Sequence, residues 1–132
     1  MVDDVVVENV LKNIPDILEG DSKKLIENAD ALGEYLARNK LSTSQIRNIF
    51  NEIKLMKKFE ECRDRLLLLK PKLAYLAGRH GKRTRDGLVG AVPDLVKVLS
   101  KCIDEIHNEQ NFENFKQFFE AVLAYHRYYG GE

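Results

Sequence analysis

The chain has 132 residues, of which 44% are hydrophobic, and its 21 basic and 21 acidic residues cancel to a net charge of zero. This composition predicts one folded domain, residues 1–132, and argues against disorder. No apolar run approaches the ~20 residues that cross a bilayer, and the N-terminus is acidic where a signal peptide is basic. Cys62 and Cys102 form no CxxC motif, which favours two reduced thiols over a disulfide. We therefore expect a cytoplasmic protein with no membrane partner.

The neutral sum conceals a basic centre. Residues 47–85 carry twelve basic and four acidic residues, a net charge of +8, whereas residues 1–46 and 86–132 each carry −4. A polyanion such as RNA or DNA responds to the local density of Lys and Arg and not to the whole-chain sum. The alternative is a solvated helix surface, which is what most charge runs are.

Helical periodicity begins at the N-terminus. Apolar side chains in residues 1–19 follow i, i+4 spacing, although Pro15 makes the continuity of this helix doubtful and Gly20 ends it. A second helix is predicted from about Ser22 to Asn39, with leucines and an alanine on one face. The periodicity of both segments is therefore typical of helices.

The third helix has the clearest start signal in the chain. Ser42 and Gln45 have the spacing of a capping box, in which each side chain bonds the other residue's backbone N–H. At 100° per residue, Arg47, Lys54 and Lys58 fall within about 40° of one another. We expect these three side chains to form a basic stripe clear of the apolar face.

A proline divides the next predicted helical segment. Residues 59–69 are expected to form a helix that ends near Lys70, because the residue before Pro71 is disfavoured in the α region. Pro71 then suits the first position of a short helix. Residues 78–87, rich in glycine and basic residues, are interpreted as a loop.

Two further helices complete the predicted fold. Asp86 is expected to cap a helix over about 87–107, in which Pro93 implies either a kink or a late start. Asn111 is expected to cap a last helix, which Gly130 closes. The core face of that helix is predicted to consist of Phe112, Phe115, Phe119, Val122 and His126. The pattern as a whole predicts an all-α bundle of five or six helices.

Catalytic chemistry has little support in this sequence. His80, His107 and His126 lack HxxxH or HExxH spacing, so we expect no metal site and no cofactor. Asp104 and Glu105 precede His107, but neighbours on a helix diverge, and a charged solvent face explains them better than a general base does. No phosphate-cradling glycine motif is present. The chain is therefore predicted not to be an enzyme.

A binding surface is better supported. The basic stripe, the Lys70 to Lys72 elbow and the following loop form one continuous surface if the helices on either side pack side by side. Tyr75 is the only aromatic residue in the core of this patch, so base stacking has few platforms. Such a surface is expected to hold phosphates and to ignore base sequence.

Three segments of the sequence resemble a known family. They are SQIRNIF at 44–50, LKPKLAYLAGR at 69–79, and FKQFFEAVLAYH at 115–126. In this order and spacing, over roughly residues 41–129, they resemble the small helical subunit of type III-A CRISPR effector complexes, the Csm small subunit. The last segment also has a plainer interpretation, the core face of the final helix.

The resemblance implies a function. Such subunits are all-helical and non-catalytic, and they stack as several copies into a filament against the guide CRISPR RNA and its paired target RNA, beside the other subunits of the complex. Self-association, as a dimer or a higher species, is therefore expected. The RNA-binding positions in or next to the matching segments are Arg47, Lys54, Lys58, Lys70, Lys72 and Arg79. The candidates that rest on charge alone are Lys82, Arg83 and Arg85.

Two other functions remain open at this stage. A helical DNA-binding regulator requires a recognition helix facing solvent. The Ser42 to Met56 helix can be assigned that role, but it has few of the Asn, Gln and Arg residues that read bases. A protein–protein adaptor requires only that the charges be solvated. RNA, duplex DNA and a neutral control, each tested for binding to the isolated protein, distinguish the three.

Overall fold

A computed structural model describes residues 2–132, with side chains from Val5 onward. Six helices and one short hairpin make up this part of the chain, which confirms the predicted all-α fold. In chain order the elements are α1 (Val2–Leu18), α2 (Ser22–Arg38), α3 (Thr43–Leu55), α4 (Phe59–His80), β1 (Lys82–Thr84), β2 (Gly87–Val89), α5 (Ala91–Asp104) and α6 (Glu109–Tyr128).

Helix α6 forms the centre of the core. Its most extensive contact is with α2, and it also packs against α1, α3 and α4, while α5 packs on α4 and α1. The predicted core face of α6 is confirmed, and Phe118 adds a fourth fully buried phenylalanine to it. The ring of Phe119 meets Phe50 of α3 edge to face, with centroids 5.6 Å apart. Such aromatic pairs add to the burial of apolar area.

The helix caps agree with the sequence at α3 and differ at α6. The capping box of α3 is present, and the Ser42 N–H donates to Gln45 Oε1 at 2.9 Å. Asn108, and not Asn111, caps α6: its side chain accepts from the Asn111 N–H at 2.8 Å. The prediction of Asn111 as the cap was wrong because Asn108 stands one turn earlier and is an equally good cap by residue type.

Asn111 instead has a buried role together with Asn114. The side-chain amide nitrogen of each donates to the backbone carbonyl of Leu18 at 2.8 Å. Leu18 is the last residue of α1, where the final carbonyls have no partner within the helix. The two asparagines therefore fix the end of α1 to the first turns of α6.

Helix α4 runs without a break through Pro71, so the predicted end near Lys70 was wrong. Proline removes one backbone hydrogen bond, to the carbonyl of Leu67, and both residues lie on the exposed side of the helix. Core packing holds the two halves in line. The buried side chains that lie before and after the proline, on one face, are Phe59, Cys62, Leu66, Leu69, Leu73 and Ala77.

The continuity of α4 predicts that Pro71→Ala stabilises the protein. Alanine restores the missing N–H donor, and a proline inside a helix costs about 3 kcal/mol relative to alanine. The loss of proline's restraint on the unfolded chain offsets up to about 1 kcal/mol of this gain. We expect urea denaturation to show a free energy of unfolding higher by about 2 kcal/mol. A decrease would mean that Pro71 starts a separate helix, where proline is favourable.

The segment predicted as a loop contains a β-hairpin. Helix α4 extends to His80, and β1 pairs with β2 in antiparallel register, with Arg83 opposite Leu88. At the turn, the Thr84 hydroxyl donates to the Gly87 carbonyl at 2.8 Å. Gly87 has a φ of 112°, a conformation that favours glycine. The hairpin therefore holds this basic segment in a defined conformation.

Helix α5 starts later than residue 87. Its first residue is Ala91, so Asp86 lies in the hairpin turn and does not cap it. Pro93 occupies the first turn of α5, where a missing N–H loses no helical bond. Of the two alternatives for Pro93, a late start is therefore confirmed.

Candidate nucleic-acid interface

Helices α3 and α4 are antiparallel neighbours. Near one end, Gln45 Nε2 lies 3.3 Å from His80 Nδ1. Further along, Lys72 Nζ lies 2.7 Å from a carboxylate oxygen of Glu52. Two of the elements that carry the predicted basic residues therefore do lie side by side.

The two lysines that flank Pro71 nevertheless lie on opposite sides of α4. Two residues correspond to 200° around a helix. Lys72 faces α3, whereas Lys70 forms an ion pair with Asp104 of α5. The prediction that the elbow contributes both lysines to one continuous surface was therefore wrong.

The predicted basic stripe loses one member. Helix α3 ends at Leu55, and Lys58 lies in extended backbone immediately before α4. Lys58 therefore does not share a helical face with Arg47 and Lys54, which are both exposed on α3. Lys54 Nζ lies 5.8 Å from the centre of the Phe50 ring.

Arg47 lines a groove between α3 and α6, on the side of α3 away from α4. Phe50 and Asn51 of α3 face Glu120, Leu123 and Arg127 of α6 across this groove. Because Arg47 and Lys54 border α6 and Lys72 borders the other side of α3, the basic residues form separate groups and not one patch.

The densest group is at the end of α4 and in the hairpin. We call it the hairpin surface and define it as Arg79, Lys82, Arg83 and Arg85. All four side chains are exposed, and the only acidic residue among residues 79–89 is Asp86. The Arg79 guanidinium donates to the hydroxyl of Tyr75 at 3.4 Å, one turn earlier in α4.

The hairpin surface differs from the other basic residues in its electrostatics. Within residues 5–132, the ion pairs involve lysines such as Lys24, Lys70, Lys72 and Lys116, and none involves the four side chains of the hairpin surface. Their charge is therefore not offset by an ion pair, and Asp86 is the one carboxylate within this segment. A polyanion in solution is attracted by these four positive charges, and dissolved salt screens the attraction.

The residues considered as candidates for catalysis form ion pairs or hydrogen bonds with neighbouring residues. Asp104 pairs with Lys70, and Glu105 pairs with Lys101 at 3.3 Å. The backbone N–H of His107 donates to Asn111 Oδ1 at 3.1 Å. Among the described side chains, no three of the His, Cys, Asp and Glu residues come together in a group that could hold a metal ion.

Both cysteines are buried and carry free thiols. Cys62 lies in α4 and Cys102 in α5, and burial raises the pKa of each thiol. A thiol with a raised pKa is a poor nucleophile at neutral pH. These two residues therefore behave as small core side chains.

The fold and the surface define a class: a small all-α protein that exposes separate clusters of basic side chains. The family model for Csm2 Type III-A matches residues 19–132, and the chain belongs to this family of small subunits of type III-A CRISPR complexes. The sequence resemblance is thereby confirmed.

One curated relative illustrates the family. The chain is 29% identical over 111 residues to a protein of Streptococcus thermophilus named "CRISPR system Cms protein Csm2". The match covers 78% of this chain and 81% of that relative. No solved structure matches the chain. In the described part of the chain, no helix is both long enough and apolar enough to span a membrane.

Proposed function

We propose that this chain is a non-catalytic subunit that binds the backbone of guide RNA and target RNA in a type III-A CRISPR ribonucleoprotein, and that the hairpin surface makes the main contact. The observation that carries the proposal is the set of four exposed basic side chains without carboxylate partners. Membership in the Csm2 Type III-A family supports the assignment to a type III-A CRISPR complex, and the relative from S. thermophilus bears a CRISPR name.

The hairpin surface suits phosphates for two physical reasons. Three of the four residues of the hairpin surface are arginines. Arginine presents a planar fork of donors that matches phosphate oxygens. The hairpin also restricts the backbone that carries them, so less conformational entropy is lost on binding. Contacts of this kind position a backbone and read no sequence.

The other predicted positions contribute to RNA binding to different extents in this proposal. Arg47 and Lys54 form a second contact region on α3, and Lys72 extends the hairpin surface along α4. Lys58 and Lys70 contribute less, because Lys58 leaves the α3 stripe and Lys70 lies on the side of α4 that faces α5.

Assembly of several copies along the RNA accounts for exposed apolar side chains. Leu55 is 67% exposed and Tyr128 is 78% exposed, at separate places on the surface. A row of copies would cover such side chains, and it would raise the overall affinity by multivalency where each single contact is weak. Self-association and filament formation are part of the proposal for this reason.

We expect the double variant Arg83→Glu/Arg85→Glu to bind single-stranded RNA at least tenfold more weakly than the native chain. Each lost phosphate contact also removes about 0.7 from the slope of log K against log salt. Both side chains are exposed, so the melting temperature is expected to change little. Fluorescence anisotropy with a labelled oligoribonucleotide at several salt concentrations measures both quantities.

The matched control is Lys23→Glu/Lys12→Glu, which makes the same change in net charge at exposed positions of α2 and α1. Equal weakening in both double variants would show that only net charge matters and would contradict the assignment of the surface. Tighter binding of duplex DNA than of RNA would favour a DNA-binding regulator. Cleavage of RNA by the purified chain with Mg²⁺ or Mn²⁺ would contradict the non-catalytic role.

A further inference from the structure

An open groove runs between α3 and α4, next to the hairpin surface. It encloses about 470 Å³, within the range of small-molecule sites. We call it the α3–α4 groove. The residues that line it are Gln45, Asn48, Ile49, Glu52, Pro71, Lys72, Tyr75 and Leu76.

Tyr75 is the aromatic side chain of this groove, and it is 64% exposed. Its hydroxyl accepts from Arg79, which restrains the ring from the C-terminal side. Lys72 lies one turn before it on α4, and Arg79 lies one turn after it. The exposed ring is therefore flanked along the helix by two cations.

We propose that the α3–α4 groove binds one unpaired nucleobase of single-stranded RNA, stacked on Tyr75, while Lys72 and Arg79 contact the phosphates on either side of that nucleotide. The inference rests on the proposed RNA-binding function and adds a base contact to it. Proteins that bind single strands without reading sequence combine an aromatic ring, on which a base stacks, with basic side chains that contact the backbone.

The lining of the groove suits a base better than a bare phosphate. Ile49, Pro71 and Leu76 provide apolar surface against which a base can pack. The Asn48 amide offers both a donor and an acceptor, whereas the Glu52 carboxylate only accepts. A carboxylate repels a phosphate but can accept a hydrogen bond from an exocyclic amine or a ring N–H. The phosphates therefore belong outside the groove, one toward Lys72 and the other toward Arg79.

The α3–α4 groove differs from the groove between α3 and α6 in the basic residues beside it. In the α3–α4 groove, Glu52 is already paired with Lys72 at 2.7 Å, so the site carries little negative charge of its own. The groove between α3 and α6 is lined by Glu120 and Glu132 as well as by Arg47 and Arg127. The formal charges of each lining therefore cancel, and what favours the α3–α4 groove for a polyanion is its position beside the hairpin surface.

The test compares Tyr75→Ala and Tyr75→Phe with Leu68→Ala. Leu68 lies two turns earlier on α4 and is 65% exposed, so its truncation removes a similar amount of exposed apolar surface without touching the groove lining. Stacking is retained by phenylalanine and lost with alanine. For a uridine oligomer we expect Tyr75→Ala to weaken binding between about fivefold and a hundredfold. Tyr75→Phe and Leu68→Ala should stay within about twofold of the native affinity.

An abasic oligomer with the same number of phosphates separates stacking from charge. We expect the native chain and Tyr75→Ala to bind it equally, because neither can stack on a missing base. The salt slope should be the same for both proteins on the uridine oligomer, since Tyr75 neutralises no phosphate. A smaller slope for Tyr75→Ala, or equal weakening on the abasic oligomer, would overturn the base contact.

Two further measurements locate the base and its phosphates. RNA that carries 4-thiouridine should crosslink on irradiation to a peptide that contains Tyr75. In addition, Lys72→Gln should weaken binding and lower the salt slope more than Lys70→Gln does. These two lysines are a matched pair: each is ion-paired to a neighbouring helix, but they face opposite sides of α4. Equal effects of the two changes would count against the position of the strand.

Failure of this inference is distinguishable from failure of the proposed function. If the native chain binds RNA with a steep salt dependence but Tyr75→Ala binds equally well, the base contact is wrong and the proposed function stands. If the native chain does not bind RNA at all, the proposed function fails first. If Tyr75→Ala leaves RNA affinity unchanged but weakens self-association in sedimentation, the groove contacts protein and the inference is overturned.

Discussion

Gly33→Ala is expected to lower the free energy of unfolding by about 3 kcal/mol, near the upper end of the usual cost of overpacking. Gly33 is buried in α2 where this helix crosses α6. A Cβ atom at this position would lie 2.6 Å from Tyr125 Cβ and 2.8 Å from the backbone nitrogen of His126. Because a backbone atom cannot rotate away as a side chain can, α2 and α6 would have to separate.

The control is the same substitution at a place without neighbours. In α4, a Cβ atom at Gly78 would have no heavy atom within 4 Å. Alanine is favoured over glycine in a helix by about 1 kcal/mol, so Gly78→Ala should raise the free energy of unfolding by up to that amount. Urea denaturation of the two variants should give changes of opposite sign. Stabilisation by both would mean that α2 and α6 do not approach closely at Gly33.

The crossing at Gly33 shows where sequence information stops. Periodic apolar residues predicted α2 and α6 and their buried faces, because burial of one face is a local property of an amphipathic helix. Which residue stands at the crossing of two helices depends on how both are placed in space. The sequence therefore predicts only that Gly33 is helical. The fold shows why a side chain does not fit at this position.

Pro71 and the hairpin illustrate two other limits. Local preference at Pro71 favours a break, but the buried side chains on both sides of it decide the outcome, and packing overrides propensity. The three-residue strands are too short to show alternation. The Asp86–Gly87 pair, however, is a hairpin signal of a known kind, and it could have identified the turn.

The candidate interface was predictable in its composition and not in its arrangement. Exposure of the basic side chains followed from helical periodicity and charge, and nearly all of the predicted positions are indeed exposed. Their division into groups depends on which helices flank α4. Lys70 and Lys72 are two positions apart in sequence, yet they pair with α5 and α3 respectively. Glu52 and Asn48 line the α3–α4 groove. The sequence did not identify them as site residues, because the groove exists only where α4 lies beside α3.

His126→Ala is expected to destabilise the protein by about 4 kcal/mol, which combines the usual loss for truncating a large core side chain with that for leaving a buried carbonyl without a donor. His126 is 1% exposed, and its Nε2 donates to the carbonyl of Leu41 at 2.6 Å. Leu41 lies in the linker between α2 and α3, so this bond joins the linker to α6. The carbonyl of Leu41 would lose its partner in the variant.

The C-terminus packs on the same ring. A Cβ atom at Gly131 would lie 2.2 Å from His126 Cε1, so the backbone of Gly131 rests directly against the imidazole. The Gly131 N–H also donates to the His126 carbonyl at 2.8 Å. Truncation of His126 therefore removes the surface that positions the chain end as well as the contact with Leu41.

His126→Gln separates the hydrogen bond from the packing. Glutamine keeps an N–H donor that can reach the Leu41 carbonyl but lacks the ring under Gly131, so we expect a loss of about 2 kcal/mol, roughly half that of alanine. Denaturant titration gives both values, and hydrogen exchange of the Gly131 amide shows whether the chain end opens. RNA affinity should be unchanged by His126→Gln at temperatures where the protein is folded, since the hairpin surface does not contact His126. Equal destabilisation by the two variants would mean that ring packing, and not the bond to Leu41, holds this junction. A loss of RNA affinity without a loss of stability would instead place His126 in binding and contradict its role in the core.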